Sequence, residues 1–190
     1  MDYLFQNKKK NIIALCFTVF YFVMLVINGP FWGISRLAIP IAFVVLLFTH
    51  KKEYLIKKWI LPVAFGIALI GSIRTLISQI DNIEYVIEFY GKASIYSVLV
   101  VCSVLTVVAG AFMFVGVLLD FKRPLKYGSL AVAVIGVATL VLDFISVGGF
   151  KYIQSVPADT TAVNIYALIL SIAQTLFYIG IFILATNKEE

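Results

Sequence analysis

The chain has 190 residues, of which 62% are hydrophobic and only 13% are charged. Soluble domains average about 45–50% apolar and about 25% charged residues, so this composition excludes an ordinary soluble protein and indicates a multi-pass membrane protein. The formal net charge of +5 would suit a nucleic-acid-binding protein. The basic residues lie mainly in short segments between apolar runs, however, so we expect a lipid bilayer as partner and no nucleic acid.

Six apolar runs have about the length of 20 residues that a helix needs to cross a bilayer. In chain order, the predicted spans cover residues 11–28, 31–49, 59–80, 93–119, 127–147 and 162–186. The runs lack the strict in-and-out alternation of barrel strands, so helices are favoured. The connections are short, and we therefore predict an all-α polytopic membrane protein whose six transmembrane helices form one domain over residues 1–190.

Basic residues accumulate on one side of these predicted spans. That side carries Lys8, Lys9, Lys10, Lys51, Lys52, Lys57, Lys58, Lys122, Arg123, Lys126 and Lys188, whereas only Lys92 and Lys151 fall on the other. Cytoplasmic loops of membrane proteins carry an excess of Lys and Arg. We therefore predict that both termini are cytoplasmic and that the protein resides in the plasma (cytoplasmic) membrane.

Three charged residues interrupt the apolar spans: Arg36 in span two, Arg74 in span three and Asp143 in span five. Each lies roughly 6–9 Å below the outer edge, counting about 1.5 Å per helical residue. A charge at a span centre costs roughly 2.5–3.5 kcal/mol, so we expect the three groups to converge and be paired or hydrated. Pro40 removes the helix hydrogen bond to the carbonyl of Arg36 and favours a kink there.

Neutral polar residues recur at helical spacing on spans one and six. Tyr21 and Asn28 share a face of span one, and Asn164, Ser171 and Gln174 follow steps of three and four on span six. In lipid, aliphatic faces meet acyl chains and polar stripes turn inward. The predicted solute-binding residues are accordingly Arg36, Arg74, Asp143, Asn28, Tyr21, Asn164, Ser171 and Gln174.

Motifs for catalysis, metal binding or cofactor binding are not recognisable in the sequence. The single histidine, His50, lies at the opposite end of its span from the level of Asp143, so neither a Ser-His-Asp triad nor a histidine metal site is expected. Nucleotide-binding and zinc-protease motifs are also missing. We therefore expect a non-enzymatic protein without cofactors, and an intramembrane enzyme that depends on Asp143 is the minor alternative.

In its size, its six spans with both ends inside and its outward polar site, the chain is similar to the small substrate-binding subunits of energy-coupling-factor vitamin importers. The similarity is one of architecture, because the alanine-rich first helix of those proteins is not evident around Ala14. No binding residue is transferred from that family.

Two functions fit the polar site. Two arginines facing one carboxylate leave a surplus positive charge, which the carboxylate or phosphate of a substrate can neutralise. The first hypothesis is therefore a protein that binds or transports a small anionic solute through an outward-facing polar pocket, energised by a partner ATPase or an ion gradient. The alternative is a non-catalytic accessory, assembly or immunity-type subunit, bound to a membrane protein partner, in which the same polar groups only hold helices together.

Overall fold

The computed structural model describes residues 7–27, 34–48, 54–81, 93–146 and 158–186. Within these ranges the chain forms six α-helices and no strand. The helices are α1 (Lys8–Ile27), α2 (Ile34–Phe48), α3 (Tyr54–Asp81), α4 (Ala93–Leu118), α5 (Lys122–Ser146) and α6 (Ala158–Ala185).

Five of these helices are long and apolar enough to cross a membrane. Their qualifying segments are Lys8–Ile27, Trp59–Asp81, Ser97–Leu118, Lys122–Leu142 and Leu168–Ala185. The apolar part of α2, Ser35–Leu46, is shorter. Outward faces are mainly aliphatic or aromatic, as at Ile70, which is 68% exposed, and a bilayer solvates such faces. The prediction of an all-helical, multi-pass membrane protein is thus confirmed, whereas six full spans, one domain and cytoplasmic termini stay predictions.

The helices are arranged as a closed ring. Each helix packs mainly on the next one in the sequence, and α6 returns to pack on α1. The contact between α1 and α6 is close, because a Cβ atom added to Gly180 would lie 3.4 Å from the Cα atom of Ala14. A ring of consecutive, alternating helices has one shared interior, and side chains from all six helices can face it.

The start of α1 and the end of α6 lie at the same end of the ring. The Lys10 ammonium donates a hydrogen bond to the Thr186 hydroxyl over 3.2 Å. The first turn of α1 is capped by the Asn7 carboxamide oxygen, which accepts from the backbone N–H groups of Lys9 and Lys10. We call this the basic end, because it also carries the basic start of α5 at residues 122–126.

A three-residue turn joins α4 to α5 at the basic end. Asp120 adopts a left-handed backbone conformation with a φ of 58°, and the Phe121 N–H donates to the Gly116 carbonyl over 2.7 Å. This is the hydrogen-bond pattern that ends a helix with a Schellman motif. A side chain at Gly116 would collide with the backbone, since its Cβ would lie 2.8 Å from the Leu125 nitrogen.

Large aliphatic side chains fill the interior next to the basic end. Five of them, from five different helices, are at most 2% exposed: Leu46, Leu61, Val117, Leu125 and Leu184. We call this group the basic-end plug. It offers no polar atom to water or solute, so it closes the interior on that side.

We predict that Gly128→Ala destabilises the protein and that Gly110→Ala does not. A Cβ atom at Gly128 would lie 3.0 Å from the Ala109 carbonyl oxygen, which belongs to the α4 backbone and has little room to move. At Gly110 the nearest atom is a Leu69 methyl group at 3.5 Å, an ordinary contact. Overpacking costs about 1–3 kcal/mol, whereas a tolerated Gly→Ala change in a helix gains up to about 1 kcal/mol.

Thermal unfolding of the purified variants in the same detergent measures this difference. Equal midpoints for Gly128→Ala and the wild type would contradict the close α4–α5 packing.

Candidate functional site

A polar cavity lies between α4, α5 and α6 and has a volume of about 90 Å³. We call it the polar cavity. Its lining consists of Thr106 from α4, Val132, Ile135, Gly136 and Thr139 from α5, and Ser171, Gln174, Thr175 and Tyr178 from α6. Its volume has room for several water molecules, and polar groups in such a space are normally hydrogen-bonded to water or to a ligand.

The polar cavity lies near the middle of the membrane-spanning segments. Thr106 is close to the centre of the segment Ser97–Leu118, and Thr175 is close to the centre of Leu168–Ala185. Lipid offers no hydrogen-bond partner at this depth, so each polar group there needs a partner inside the ring.

Three threonine hydroxyls in the cavity wall are satisfied by their own helices. Thr106 donates to the Cys102 carbonyl over 2.8 Å, and Thr175 donates to the Ser171 carbonyl over 3.0 Å. Thr139 donates to the Gly136 carbonyl over 3.0 Å and also reaches the Ile135 carbonyl. Each hydroxyl has one proton, so these threonines present only acceptor lone pairs to the cavity.

The other three polar side chains of the cavity wall can donate hydrogen bonds to an occupant. Ser171, Gln174 and Tyr178 make no side-chain hydrogen bond within the part of the chain that the structure describes. A serine and a tyrosine hydroxyl donate one proton each, and a carboxamide donates two. The cavity therefore combines saturated threonines with donors that are available to an occupant.

Arg36 places a positive charge in the apolar part of α2, Ser35–Leu46, and its side chain is exposed. Arg36 forms no ion pair with any side chain that the structure describes. The described acidic side chains, Asp81 and Asp120, lie at helix ends and are exposed.

The backbone around Arg36 is shaped by two neighbours. Pro40 lies inside α2 and is fully buried, so the Arg36 carbonyl receives no helix hydrogen bond from the residue four positions later. Ser35 packs directly against Gly71 of α3, where any side chain at position 71 would collide with the Ser35 hydroxyl. Only glycine at this position allows the two helices to approach so closely.

A second, smaller cavity of about 20 Å³ adjoins the polar cavity. We call it the small cavity. Its lining is Ile39, Phe65, Ala68, Leu69, Ser72, Thr106, Gly110, Met113, Val132 and Tyr178. Its volume is enough for about one water molecule. Five of the six helices contribute to this wall, so the small cavity lies inside the ring.

Phe177 is the centre of an aromatic cluster that supports Tyr178. Its ring stacks on Tyr21 at 5.2 Å between centroids and meets Phe43 and Tyr178 edge-on at 6.0 and 5.4 Å. Offset and edge-on pairs of this kind contribute about 0.5–1.5 kcal/mol beyond the area they bury. The cluster joins α1, α2 and α6 and positions Tyr178 at the cavity wall.

The predicted site residues lie at different places. Ser171 and Gln174 line the polar cavity. Tyr21 is buried against Phe177 and is 3% exposed. Arg36 and Arg74 have exposed side chains on adjacent helices.

Three predicted residues fall wholly or partly outside the described residues. Asn28 lies outside them, and for Asp143 and Asn164 only the helical backbone is described. The convergence of Arg36, Arg74 and Asp143 therefore stays a prediction. Within the described residues, no group of three His, Cys, Asp or Glu side chains is arranged to hold a metal ion.

Sequence reasoning did not single out Thr106, Thr175 and Tyr178 as site residues. Thr106 carries a weak signal, because Thr106 and Gly110 stand four residues apart on an otherwise apolar span and so share a helix face. Tyr178 continues the spacing of Ser171 and Gln174. Thr175 lies beside that stripe, and only its contact with Gly136 across the helix pair reveals its position.

No family of proteins, no curated protein and no solved structure matches this chain.

We predict that Phe177→Ala destabilises the protein by about 3–5 kcal/mol, the usual cost of removing a buried phenylalanine. Phe177 is 1% exposed and touches three other rings. Phe112→Ala is the matched control, since Phe112 is 59% exposed on the outer surface and lipid refills the space. Urea or thermal unfolding in detergent micelles compares the two, and equal losses would show that Phe177 does not organise the interior.

Proposed function

We propose that this integral membrane protein binds a small anionic solute in the polar cavity. The observation that carries the proposal is the set of donors at mid-depth, Ser171, Gln174 and Tyr178, which have no protein partner among the described residues. These three side chains are partly accessible and border the cavity. An occupant with acceptor atoms can accept their hydrogen bonds.

A positive charge in the apolar part of α2 favours an anion over a cation. Arg36 lies one helical turn from Ile39, which lines the small cavity together with Tyr178, and no described carboxylate pairs with this arginine. A positive charge within the membrane span is less screened than one in bulk water. An anion gains both the attraction of this charge and the free protons of Ser171 and Gln174.

The size of the cavity restricts the solute. Sites for drug-sized ligands have volumes of about 300–1,000 Å³, whereas the polar cavity has about 90 Å³. Nitrate, formate, chloride and acetate are of suitable size. A vitamin-sized solute is not accommodated in this conformation.

The solute would reach the cavity from the end opposite the basic end. The basic-end plug, represented by Leu61, Leu125 and Leu184, is at most 1% exposed and separates the cavity from that side. This supports the outward-facing orientation that the basic residues predict. Transport driven by an ion gradient or a partner ATPase extends the proposal.

The second candidate is an accessory, assembly or immunity-type membrane subunit. Its specific support is the internal saturation of Thr106, Thr139 and Thr175, which needs no solute. The close approach of Gly136 to Thr175, with 2.7 Å between an added Cβ and the Thr175 hydroxyl, is also a packing feature. On this view the polar residues serve helix association.

We expect nitrate, formate, chloride or acetate to raise the unfolding temperature of the purified protein in detergent. A ligand at about 100 times its Kd stabilises the folded state by about 2.7 kcal/mol. Gln174→Leu and Ser171→Ala should weaken the response, because a hydrogen bond to a charged group contributes about 1.5–3 kcal/mol. That loss corresponds to roughly 10-fold to 100-fold in Kd.

Thr75→Val is the matched control, because Thr75 is exposed on α3 and its hydroxyl donates to its own helix at the Gly71 carbonyl. The control should keep the full response. Identical responses in Gln174→Leu, Ser171→Ala and the wild type would rule out this anion site. A co-purifying membrane protein together with no anion response would support the accessory subunit, and turnover lost in Asp143→Asn would support the enzyme alternative.

A further inference from the structure

The polar cavity and the small cavity share part of their walls. Thr106, Val132 and Tyr178 line both cavities, and we call this shared wall the neck. Thr106 and Val132 have small side chains, which are poorly suited to block a passage permanently. Tyr178 is the large group at the neck, and it is only partly buried.

Together the two cavities extend through much of the ring. At about 1.5 Å per residue, Met113 in the small cavity lies about 8 Å from the basic end of α4 at Leu118. Thr139 in the polar cavity lies about 10 Å from the opposite end of α5 at Ser146.

The surroundings of Tyr178 suit a side chain that moves. Its ring packs edge-on against Phe177 and borders both cavities. Its hydroxyl donates no hydrogen bond to a described residue. Arg36 lies one helical turn from Ile39, which lines the small cavity with Tyr178, and its charge favours an anion over a cation there.

We propose that Tyr178 is a gate between the two cavities, and that the cavities are successive stations of one path for a small anion. The proposal rests on the proposed function, since it assumes that the polar cavity binds an anion. Rotation of the Tyr178 ring opens the neck, and its hydroxyl donates a hydrogen bond to the anion as the anion passes Thr106. The neck limits the rate of exchange along this path, and passage through the basic-end plug is the faster step.

Efflux of chloride and nitrate from proteoliposomes, followed with ion-selective electrodes, tests the gate. Tyr178→Ala should raise the efflux rate by about tenfold or more, which corresponds to a barrier lowered by roughly 1.4 kcal/mol. Val132→Ala widens the same neck with a smaller loss of packing and should raise the rate in the same direction. Tyr178→Phe keeps the ring and removes only the hydroxyl, so it should raise the rate far less than Tyr178→Ala.

Tyr127→Ala is the control, because Tyr127 is a tyrosine that is 61% exposed on the outer face of α5. Its efflux rate should equal that of the wild type. If Tyr178→Ala does not fold, the efflux rate of Val132→Ala tests the gate instead. A wild-type rate in every folded neck variant would overturn the gate.

The anion-dependent thermal shift separates this outcome from a failure of the binding site. A wild-type protein that is stabilised by nitrate or chloride, with neck variants that leave efflux unchanged, contradicts the gate alone. A wild-type protein that none of the tested anions stabilises contradicts the proposed function itself.

Discussion

The structure depends on the absence of hydrogen-bond partners in lipid. Every polar group within a span has to be satisfied inside the protein, and an interior exists only because α6 packs on α1 and closes the ring. The Lys10 to Thr186 hydrogen bond and the contact of Gly180 with Ala14 hold this closure together. Opening the ring would expose the polar cavity to acyl chains, so the closure and the site are coupled.

Two kinds of polar side chain share the cavity and play different parts. The threonines are saturated by carbonyls of their own helices, as at Thr106 and Thr175, and cost little in a dry bundle. Ser171, Gln174 and Tyr178 donate no side-chain hydrogen bond to a described residue, and the proposed anion would accept from them. The aromatic cluster around Phe177 supports one wall of the cavity.

Much of the fold was predictable because the length and composition of the apolar runs are determined by the bilayer alone. All six predicted spans correspond to helices, yet α2 is described for only 15 residues and its apolar part is shorter than a full span. Ser171 and Gln174 line the polar cavity, which agrees with the expectation that polar residues at helical spacing turn away from lipid. Phe177 could not be found in this way, since an aromatic residue suits a lipid-facing position as well as the core.

The neck could not be predicted from the sequence either. Thr106, Val132 and Tyr178 come from three helices, and only their arrangement in the ring brings them to the same place. Tyr21 was predicted from its polar spacing to contact the solute, and in the structure its ring stacks on Phe177. A periodic pattern identifies the inward face of a helix but not the neighbour that this face meets.

Water-edited solid-state NMR on the protein in liposomes tests the central claim, that a hydrated polar cavity lies at mid-depth inside the ring. Magnetisation from water should reach the side chains of Ser171 and Gln174 nearly as fast as it reaches exposed Lys9 at the basic end. Ile172, which is 40% exposed on the same helix and faces lipid, should lag behind them. Transfer to Ser171 and Gln174 as slow as transfer to Ile172 would show a dry interior and contradict the account.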